Sequence, residues 1–281
     1  MSDDLKKLLI VMPCYNEEAV LPQTIKVIGA LLKKLIKGKK VHADSKVCFV
    51  NDGSSDKTWA LIKKAAAGER IFSGISLSRN FGHQKAIIAG MYDTDADLYV
   101  TIDADLQDDV NAITEMVDYF LQGVDVVFGV RRERKTDTFF KKHTAQLFYK
   151  LMSTMGGEIV YNHADFRLMS KRSLKALVSF PERNLFLRGM VCLLGYTTAS
   201  VYYDRKERFA GESKYPFTKM LNFALDGITS FSVKPLRLIT TSGLIFMLVS
   251  FFAIIYALVE FIGGDVIRGW TSLLISVWFI G

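Results

Sequence analysis

Two aspartates near the middle of the chain have the spacing and the setting of a metal-binding pair. Asp103 and Asp105 follow the apolar run Leu98–Ile102, whose composition is typical of a buried strand. Hard divalent cations such as Mg²⁺ and Mn²⁺ prefer carboxylate oxygens of this kind. The same Asp-x-Asp spacing recurs between Asp93 and Asp97, but in a polar turn, which favours solvated side chains. Helix capping is the alternative role for Asp103 and Asp105.

Polar blocks follow four apolar, β-branched runs, and the aspartate pair lies in the last of them. The blocks are Pro13–Glu18, Asn51–Asp56, Ser78–His83 and Asp103–Asp108. Neither the GxGxxG fingerprint of dinucleotide-binding proteins nor the GxxxxGK[ST] phosphate loop occurs in the chain. Bare carboxylates repel a diphosphate, whereas a cation held between them attracts it. The blocks therefore predict a site where a metal bridges carboxylates and phosphates.

The elements that would position these blocks alternate between strands and helices. The predicted strands are Leu8–Pro13, Lys46–Asn51, Ile71–Ser78, Leu98–Asp103 and Val124–Val130. The first predicted helix has Asn16 as a candidate N-cap, with Glu17 and Glu18 in its first turn. This alternation predicts an α/β domain with a doubly wound, mostly parallel sheet. Ligands of such sheets bind beyond the carboxyl ends of the strands, where all four polar blocks fall.

The composition excludes several classes of protein. Of the 281 residues, 50% are hydrophobic, and the mean hydropathy of +0.20 is too high for a disordered chain. The net charge of +7 is compatible with nucleic-acid binding, but acidic side chains fall in the predicted cleft, so no nucleic-acid partner is expected. Cys14, Cys48 and Cys192 are widely separated, which predicts neither a disulfide framework nor a structural zinc site.

The C-terminal part has the pattern of a membrane protein. Leu238–Val259 carries no charge and is long enough, at about 1.5 Å per residue, to cross a hydrocarbon core of roughly 30 Å. The basic residues that precede it are Lys214, Lys219, Lys234 and Arg237. The positive-inside rule therefore predicts a cytoplasmic N-terminal domain. A second apolar run starts at Trp270, which predicts a multi-pass protein of the cell membrane whose second helix is truncated.

A stripe of apolar residues at helical spacing, Phe217–Phe231, predicts an amphipathic juxtamembrane helix. Two interpretations stay open: packing on its own domain or on a second subunit of a homo-oligomer, and an interfacial helix in the headgroup layer. The predicted organisation is a catalytic domain over 1–215, this helix within 216–237 and a transmembrane region over 238–281. Aromatic contacts at the membrane interface are one role for Tyr202, Tyr203 and Tyr215.

Taken together, these motifs resemble a known family. The most specific segments are Asp103–Asp108, Ser78–His83, Asp165–Leu168 and Gly211–Tyr215. With the membrane segments, they are similar to the family 2 glycosyltransferases of GT-A fold. Within that family the resemblance is to the polyprenyl-phosphate glycosyltransferases, which include dolichyl-phosphate mannose synthases and bacterial bactoprenol glucosyltransferases. Asn51 stands where the family usually has Asp, and Asp109 where Pro often closes the metal loop.

The resemblance implies a site for a nucleotide sugar and a metal. The residues implied to bind the nucleotide sugar are Pro13, Tyr15, Glu17, Asp52, Lys85 and Asp103. Those implied to surround Mg²⁺ or Mn²⁺ on the diphosphate are Asp103, Asp105 and Gln107. UDP-glucose is the first expected donor, followed by UDP-N-acetylglucosamine and GDP-mannose.

The resemblance also implies catalytic residues and a phosphate-binding set. The catalytic candidates are Asp165, Arg131 and Arg205. Basic positions implied to bind the lipid phosphate and the donor diphosphate are Arg131, Arg134, Arg205, Arg208 and Lys214. A phosphate monoester is already largely ionised near pH 7, since its second pKa is about 6, so Asp165 has either an orienting role or that of a base. The lone histidines His83 and His143 fit surface or packing positions. His163, two residues from Asp165, is a slightly stronger catalytic candidate than these two, although a packing role is favoured for it as well.

The expected activity is inverting transfer of a sugar from a nucleotide sugar to membrane-bound polyprenyl (undecaprenyl) phosphate. A separate flippase and a downstream glycosyltransferase are the expected partners, because two membrane spans are too few to move the product. A processive polysaccharide synthase is disfavoured, since its Gln-x-x-Arg-Trp block is absent. A non-catalytic, membrane-anchored nucleotide-sugar binder is the other alternative.

Overall fold

The computed structural model describes residues 5–132, 163–180, 187–205, 234–263, 269–270, 273 and 275–277. The chain divides into two compact units, Met1–Ser230 and Phe231–Gly281. The first unit contains the sheet and the candidate site, and the second contains a long apolar helix. The predicted boundary at 215 lies outside the described residues, and the one at 237 falls within the described helix Lys234–Gly263, so the three-part organisation stays a prediction.

The first unit is built on a seven-stranded sheet. Its strands are β1 Leu8–Cys14, β2 Lys46–Asn51, β3 Phe72–Ser76, β4 Leu98–Thr101, β5 Val126–Arg131, β6 His163–Ser170 and β7 Thr198–Tyr203. Their order is β3-β2-β1-β4-β6-β5-β7. Every neighbouring pair is parallel except those of β6, which runs antiparallel to both β4 and β5. The predicted doubly wound, mostly parallel sheet is confirmed.

All five predicted strands are present, with ends shifted by a few residues. β1 extends to Cys14 and β4 stops at Thr101, so Asp103 lies beyond the strand rather than at its last position. Two strands, β6 and β7, were not predicted. β6 carries Asp165 and Arg167 at alternate positions, and this polar content concealed a strand that is buried along its described side chains.

The helices of the first unit are α1 Leu21–Lys37, α2 Thr58–Gly68, α3 His83–Asp93, α4 Ala112–Leu121, and two shorter ones, Lys171–Val178 and Leu187–Leu193. The main core joins side chains of α1 and α4, such as Leu32 and Met116, to inward-facing strand residues such as Phe49. α3 packs closely on β1 at Gly90, where a Cβ atom would lie 2.4 Å from Cγ1 of Val11. This close packing fixes the helix that begins with His83.

The predicted N-cap at Asn16 is wrong. α1 begins at Leu21 with Val20 in the cap position and without a side-chain cap hydrogen bond. Asn16 instead has a positive φ of 52°, and its Oδ1 accepts hydrogen bonds from Ser55. Asn adopts this left-handed conformation more readily than most residues, so it suits a tight loop between strand and helix.

The second unit contains the helix Lys234–Gly263. Within it, Leu236–Gly263 is long and apolar enough to cross a membrane, and it is the one such helix among the residues described. Its hydroxyl side chains at Thr240 and Thr241 donate to backbone carbonyls four residues earlier, which satisfies these groups without water. Phe217–Phe231 and most of the apolar segment after Trp270 lie outside the described residues.

Candidate active site

The carboxyl edge of the sheet brings Asp103, Asp165 and His83 together. Nε2 of His83 lies 3.5 Å from Oδ1 of Asp103 and 3.5 Å from Oδ2 of Asp165. Asp103 follows β4, Asp165 lies in β6, and His83 is the first residue of α3. Three separate elements therefore meet at one point, as expected for a ligand site of an α/β sheet.

Asp165 is held by a buried ion pair. Its Oδ1 accepts a 2.7 Å hydrogen bond from Arg167, and both side chains are less than 10% exposed. Arg167 also donates to the carbonyl of Leu187 at 3.0 Å, which ties the pair to the helix Leu187–Leu193. Thr101 of β4 donates to the backbone carbonyl of Asp165. Arg167 of the same strand thus fixes the carboxylate of Asp165, and Thr101 of the neighbouring strand fixes its backbone.

Three other carboxylates lie around Asp103. Burial raises the pKa of Asp103, His83 lowers it, and Asp108, Asp165 and Asp105 raise it further, with a net upward shift. Burial is the largest cause of this shift, and the three neighbouring carboxylates add dense negative charge to it. A cation bound here would relieve the repulsion among these groups.

The donor set after β4 fits a divalent metal. Asp103 and Asp105 offer hard carboxylate oxygens, and the loop between them and Gln107 is shaped by the positive φ of Leu106 (55°) and by the Gln107 N–H, which donates to Oδ1 of Asp105 at 3.1 Å. Within the described parts of the chain, no three His, Cys, Asp or Glu side chains form a preassembled metal cluster. Two carboxylates suffice when substrate phosphates complete the coordination shell, which is the usual arrangement for Mg²⁺.

Gln107 and Arg205 are in contact. The amide oxygen of Gln107, which the resemblance implies is a metal ligand, accepts a hydrogen bond from the Arg205 guanidinium. Burial lowers the pKa of Arg205 and the nearby Arg131 lowers it further, so two guanidinium groups border the same cluster of acids. An anionic ligand beside the acids would meet positive charge from this side. Gln107 as a metal ligand stays a prediction.

Arg131 is anchored by Asp108 and Tyr203. Oδ1 of Asp108 accepts hydrogen bonds from Nε of Arg131 at 3.2 Å, from its Nη2 at 3.1 Å and from the Tyr203 hydroxyl at 2.7 Å. Tyr203 is therefore a buried hydrogen-bond donor, and its predicted place at a membrane interface is wrong; Tyr202, by contrast, is 58% exposed. Burial and the Asp108 carboxylate raise the pKa of Tyr203, so the hydroxyl stays protonated. Binding of lipid phosphate by Arg131 stays a prediction.

The loops after β1 and β2 are joined to each other by hydrogen bonds. The Asn16 N–H donates to Oγ of Ser54 at 3.0 Å, and the Glu17 N–H donates to Oγ1 of Thr58 at 2.8 Å. Tyr15 is exposed between these contacts and Pro13 is buried within β1. The predicted nucleotide contacts of Pro13, Tyr15 and Glu17 therefore belong to one continuous edge.

Asp52 holds the loop that leads into α3. Its Oδ1 accepts from the Phe81 N–H at 2.7 Å and its Oδ2 from the Gly82 N–H at 2.9 Å. The side chain is buried, and each oxygen keeps a second lone pair. The predicted contact of Asp52 with nucleobase or ribose stays a prediction, as does that of the exposed Lys85.

Asn51 uses both ends of its amide. Nδ2 donates to Oγ of Ser76 at 2.9 Å, and Oδ1 accepts from the Ser54 N–H at 3.2 Å. An aspartate carboxylate at this position would have no N–H group to donate to the Ser76 hydroxyl. The departure from the family pattern at Asn51 thus links the ends of β2 and β3.

Gly53 allows the loop after β3 to approach the end of β2. Its φ is +67°, and a Cβ atom would lie 2.4 Å from the carbonyl carbon of Arg79 and 2.5 Å from the nitrogen of Asn80. We expect Gly53→Ala to destabilise the protein by about 1–3 kcal/mol more than Gly123→Ala, because forced overpacking adds to the cost of a positive φ. Gly123 is the matched control, since it has φ +95° and open space around its Cβ position.

Thermal unfolding in detergent measures the difference between the two variants. The displaced loop in Gly53→Ala should also raise the KM for the nucleotide sugar, whereas Gly123→Ala should leave it unchanged. Equal melting temperatures for the two variants would contradict the close approach of the loops.

Some predicted residues lie outside the described part of the chain: Arg134, Arg208, Lys214, His143 and Tyr215. Other residues that the structure brings to the site, His83 and Arg167, are not among the predicted site residues. The sequence favours a surface or packing position for His83, although His83 is the last residue of a strand-end block and the block lies at the ligand edge. Arg167 was given no role, yet the period-two alternation of polar and apolar residues through Asp165, Phe166 and Arg167 is a strand signal.

Comparison with known proteins agrees with this geometry. The family model described as "Glycosyl transferase family 2" matches residues 9–178. An uncharacterized glycosyltransferase of Bacillus subtilis, YkoT, is 49% identical over 276 residues, which cover 98% of this chain and 82% of that protein. A protein of Escherichia coli named prophage bactoprenol glucosyl transferase homolog is 37% identical over 277 residues, which cover 98% of this chain and 89% of that one.

A solved structure shares the fold at low sequence identity. Glucosyl-3-phosphoglycerate synthase from Mycobacterium tuberculosis, in complex with Mn²⁺, UDP and glucosyl-3-phosphoglycerate, aligns with a TM-score of 0.53 and 16% identity. The alignment covers 78% of this chain and 76% of that one. At this level of identity the likeness is one of fold.

Proposed function

The chain belongs to glycosyl transferase family 2 and is a glycosyltransferase; we propose that it transfers a sugar from a UDP-linked donor to polyprenyl phosphate. Glucose is the first expected sugar. The observation that carries this proposal is similarity over 98% of the chain to a protein named as a bactoprenol glucosyl transferase homolog. That similarity extends through the apolar helix, so it concerns the membrane segment as well as the catalytic domain. A lipid acceptor agrees with an enzyme that is anchored in the same bilayer.

The donor binds along the edge formed by the loops after β1, β2 and β4. Pro13, Tyr15 and Glu17 contact the nucleoside, while Asp103 and Asp105, with Gln107, hold a divalent metal, Mg²⁺ or Mn²⁺. When bound, the metal supplies Lewis-acid charge to the diphosphate. The mycobacterial synthase of the same fold, crystallised with Mn²⁺ and UDP, supports this donor class and cofactor.

The acceptor phosphate attacks the anomeric carbon from the face opposite the diphosphate. A new bond forms between a phosphate oxygen and that carbon, the bond to the diphosphate oxygen breaks, and the configuration inverts. Asp165, held rigidly by Arg167, orients the sugar or the acceptor, since an ionised phosphate needs no base. Arg205 neutralises charge that develops on the departing diphosphate, and Arg131 contributes from its anchored position beside it.

The phosphate-binding set extends into segments outside the described residues. Arg134, Arg208 and Lys214 supply additional positive charge for the lipid phosphate in this proposal. The catalytic domain faces the cytoplasm of a bacterial cell, in a multi-pass membrane protein that forms a homo-oligomer. A separate flippase moves the lipid-linked sugar across the membrane, and a downstream glycosyltransferase uses it for cell-envelope glycosylation.

A panel of radiolabelled nucleotide sugars tests the donor and the cofactor together. We expect UDP-glucose to give a chloroform-soluble product with undecaprenyl phosphate in detergent when Mg²⁺ or Mn²⁺ is present, and no product in EDTA. Preferred use of UDP-N-acetylglucosamine or GDP-mannose would identify a different donor for the same transfer reaction. Binding of UDP without any lipid-linked product would contradict the proposed acceptor.

A further inference from the structure

We propose that His83 is a positioning residue of the transfer site, which keeps the carboxylates of Asp103 and Asp165 aligned across the cleft. This inference rests on the proposed function, because it places Asp103 on the donor side and Asp165 on the acceptor side of one reaction. A single nitrogen, Nε2 of His83, lies 3.5 Å from an oxygen of each carboxylate. The imidazole is thus the structural link between the two halves of the site.

The two oxygens of Asp165 face different partners. Oδ1 pairs with Arg167, whose side chain is 3% exposed and is fixed by the Leu187 carbonyl. Oδ2 faces His83, whose side chain is 29% exposed. Arg167 therefore anchors the carboxylate from the protein interior, while His83 sets the direction of the oxygen nearest to substrate.

The repulsion between the two carboxylates explains why a hydrogen-bond donor is needed between them. Asp103 and Asp165 repel each other and are joined by Asp105 and Asp108 in the same cluster. An imidazole N–H between two carboxylates offsets this repulsion and fixes their separation. A small displacement of a reacting group is costly to catalysis, by as much as about 10²-fold for roughly 1 Å.

The backbone before His83 is itself restrained. Asp52 accepts hydrogen bonds from the N–H groups of Phe81 and Gly82, and Gly82 has a φ of 93°. Gly90 allows the same helix to pack tightly on β1. The imidazole is therefore presented by a loop and a helix that are both fixed, which is what a positioning residue requires.

Nuclear magnetic resonance of ¹⁵N-histidine tests the contact itself in the full chain, which has four histidines. Assignment uses His83→Gln. The His83 ring signals should shift in both Asp103→Asn and Asp165→Asn and stay unchanged in Asp44→Asn. His42, whose Nδ1 lies 3.6 Å from Asp44, should give the opposite pattern and is the matched control. A His83 ring signal that does not shift in Asp165→Asn overturns the inference.

Kinetics test the consequence for transfer. We expect His83→Leu to lower kcat about 10- to 100-fold with the KM for the donor within about threefold, and His83→Gln, which keeps an N–H donor, to recover part of the loss. His42→Gln should have wild-type kinetics. Full kcat in His83→Leu, or a raised donor KM with unchanged kcat, overturns the inference. A wild-type enzyme that makes no lipid-linked sugar contradicts the proposed function instead, and the resonance shifts still decide the contact.

Discussion

Asp105→Asn is expected to reduce kcat/KM for sugar transfer about 10³-fold, which corresponds to roughly 4 kcal/mol of transition-state stabilisation. Asn keeps the side-chain oxygen that accepts the Gln107 N–H, so the loop around Leu106 retains its conformation. The substitution removes only the negative charge that the account assigns to the metal. Initial rates at varied donor and Mn²⁺ concentrations measure the effect.

Asp95→Asn is the matched control for this charge removal. Asp95 belongs to another Asp-x-Asp sequence, is exposed and pairs with Lys171 at the opposite edge of the sheet. Its activity should stay within about twofold of wild type, as expected for a surface substitution. Two results would contradict the role of Asp105 at a metal: an Asp105→Asn enzyme that retains most of its activity, and a wild-type enzyme whose activity is unchanged by EDTA.

Asp165→Ala is expected to lower both stability and activity. The substitution leaves the Arg167 guanidinium buried without a counter-charge, which should destabilise the protein by about 3 kcal/mol. Transfer should fall by at least about 10²-fold, because an orienting group at the reacting centre is lost. Thermal unfolding in detergent and kcat with a saturating donor measure the two effects separately.

Asp165→Asn separates the structural role of this residue from the chemical one. The amide oxygen still accepts a hydrogen bond from Arg167, so part of the stability should return, although the guanidinium still lacks its counter-charge, and transfer should stay low. Asp95→Ala breaks an exposed ion pair and should leave the melting temperature unchanged. Wild-type kcat in Asp165→Asn would contradict a catalytic role of the carboxylate, whatever its stability.

The sequence predicted the central strands because their side chains obey simple rules. β1, β2 and β4 are continuous buried apolar runs, as strands covered on both faces must be. β6 was missed despite its alternating pattern, because charged residues in its interior are atypical of a buried strand, and the burial of those charges depends on the Asp165–Arg167 pair. Such pairing is a tertiary property that a local pattern does not encode.

The residues of the site also divide into those that a local sequence pattern predicts and those that it does not. Asp103 and Asp105 were predicted from their position after a buried strand, because parallel strands bring their ends to one edge. The link through His83 and the contact between Asp108 and Tyr203 were not predicted, because each depends on side-chain directions across sequence separations of tens of residues. Lone polar residues give no local signal of such partners.

The mass of the lipid product shows whether the sugar is transferred to the phosphate of the lipid. Undecaprenyl phosphate and undecaprenol are each incubated with UDP-glucose and Mn²⁺, and the chloroform-soluble fraction is analysed by mass spectrometry. We expect a product from undecaprenyl phosphate alone, with one hexose added and a single phosphate retained, together with release of UDP. A product with two phosphates, or sugar transfer to undecaprenol, would contradict transfer of the sugar to the phosphate of the lipid.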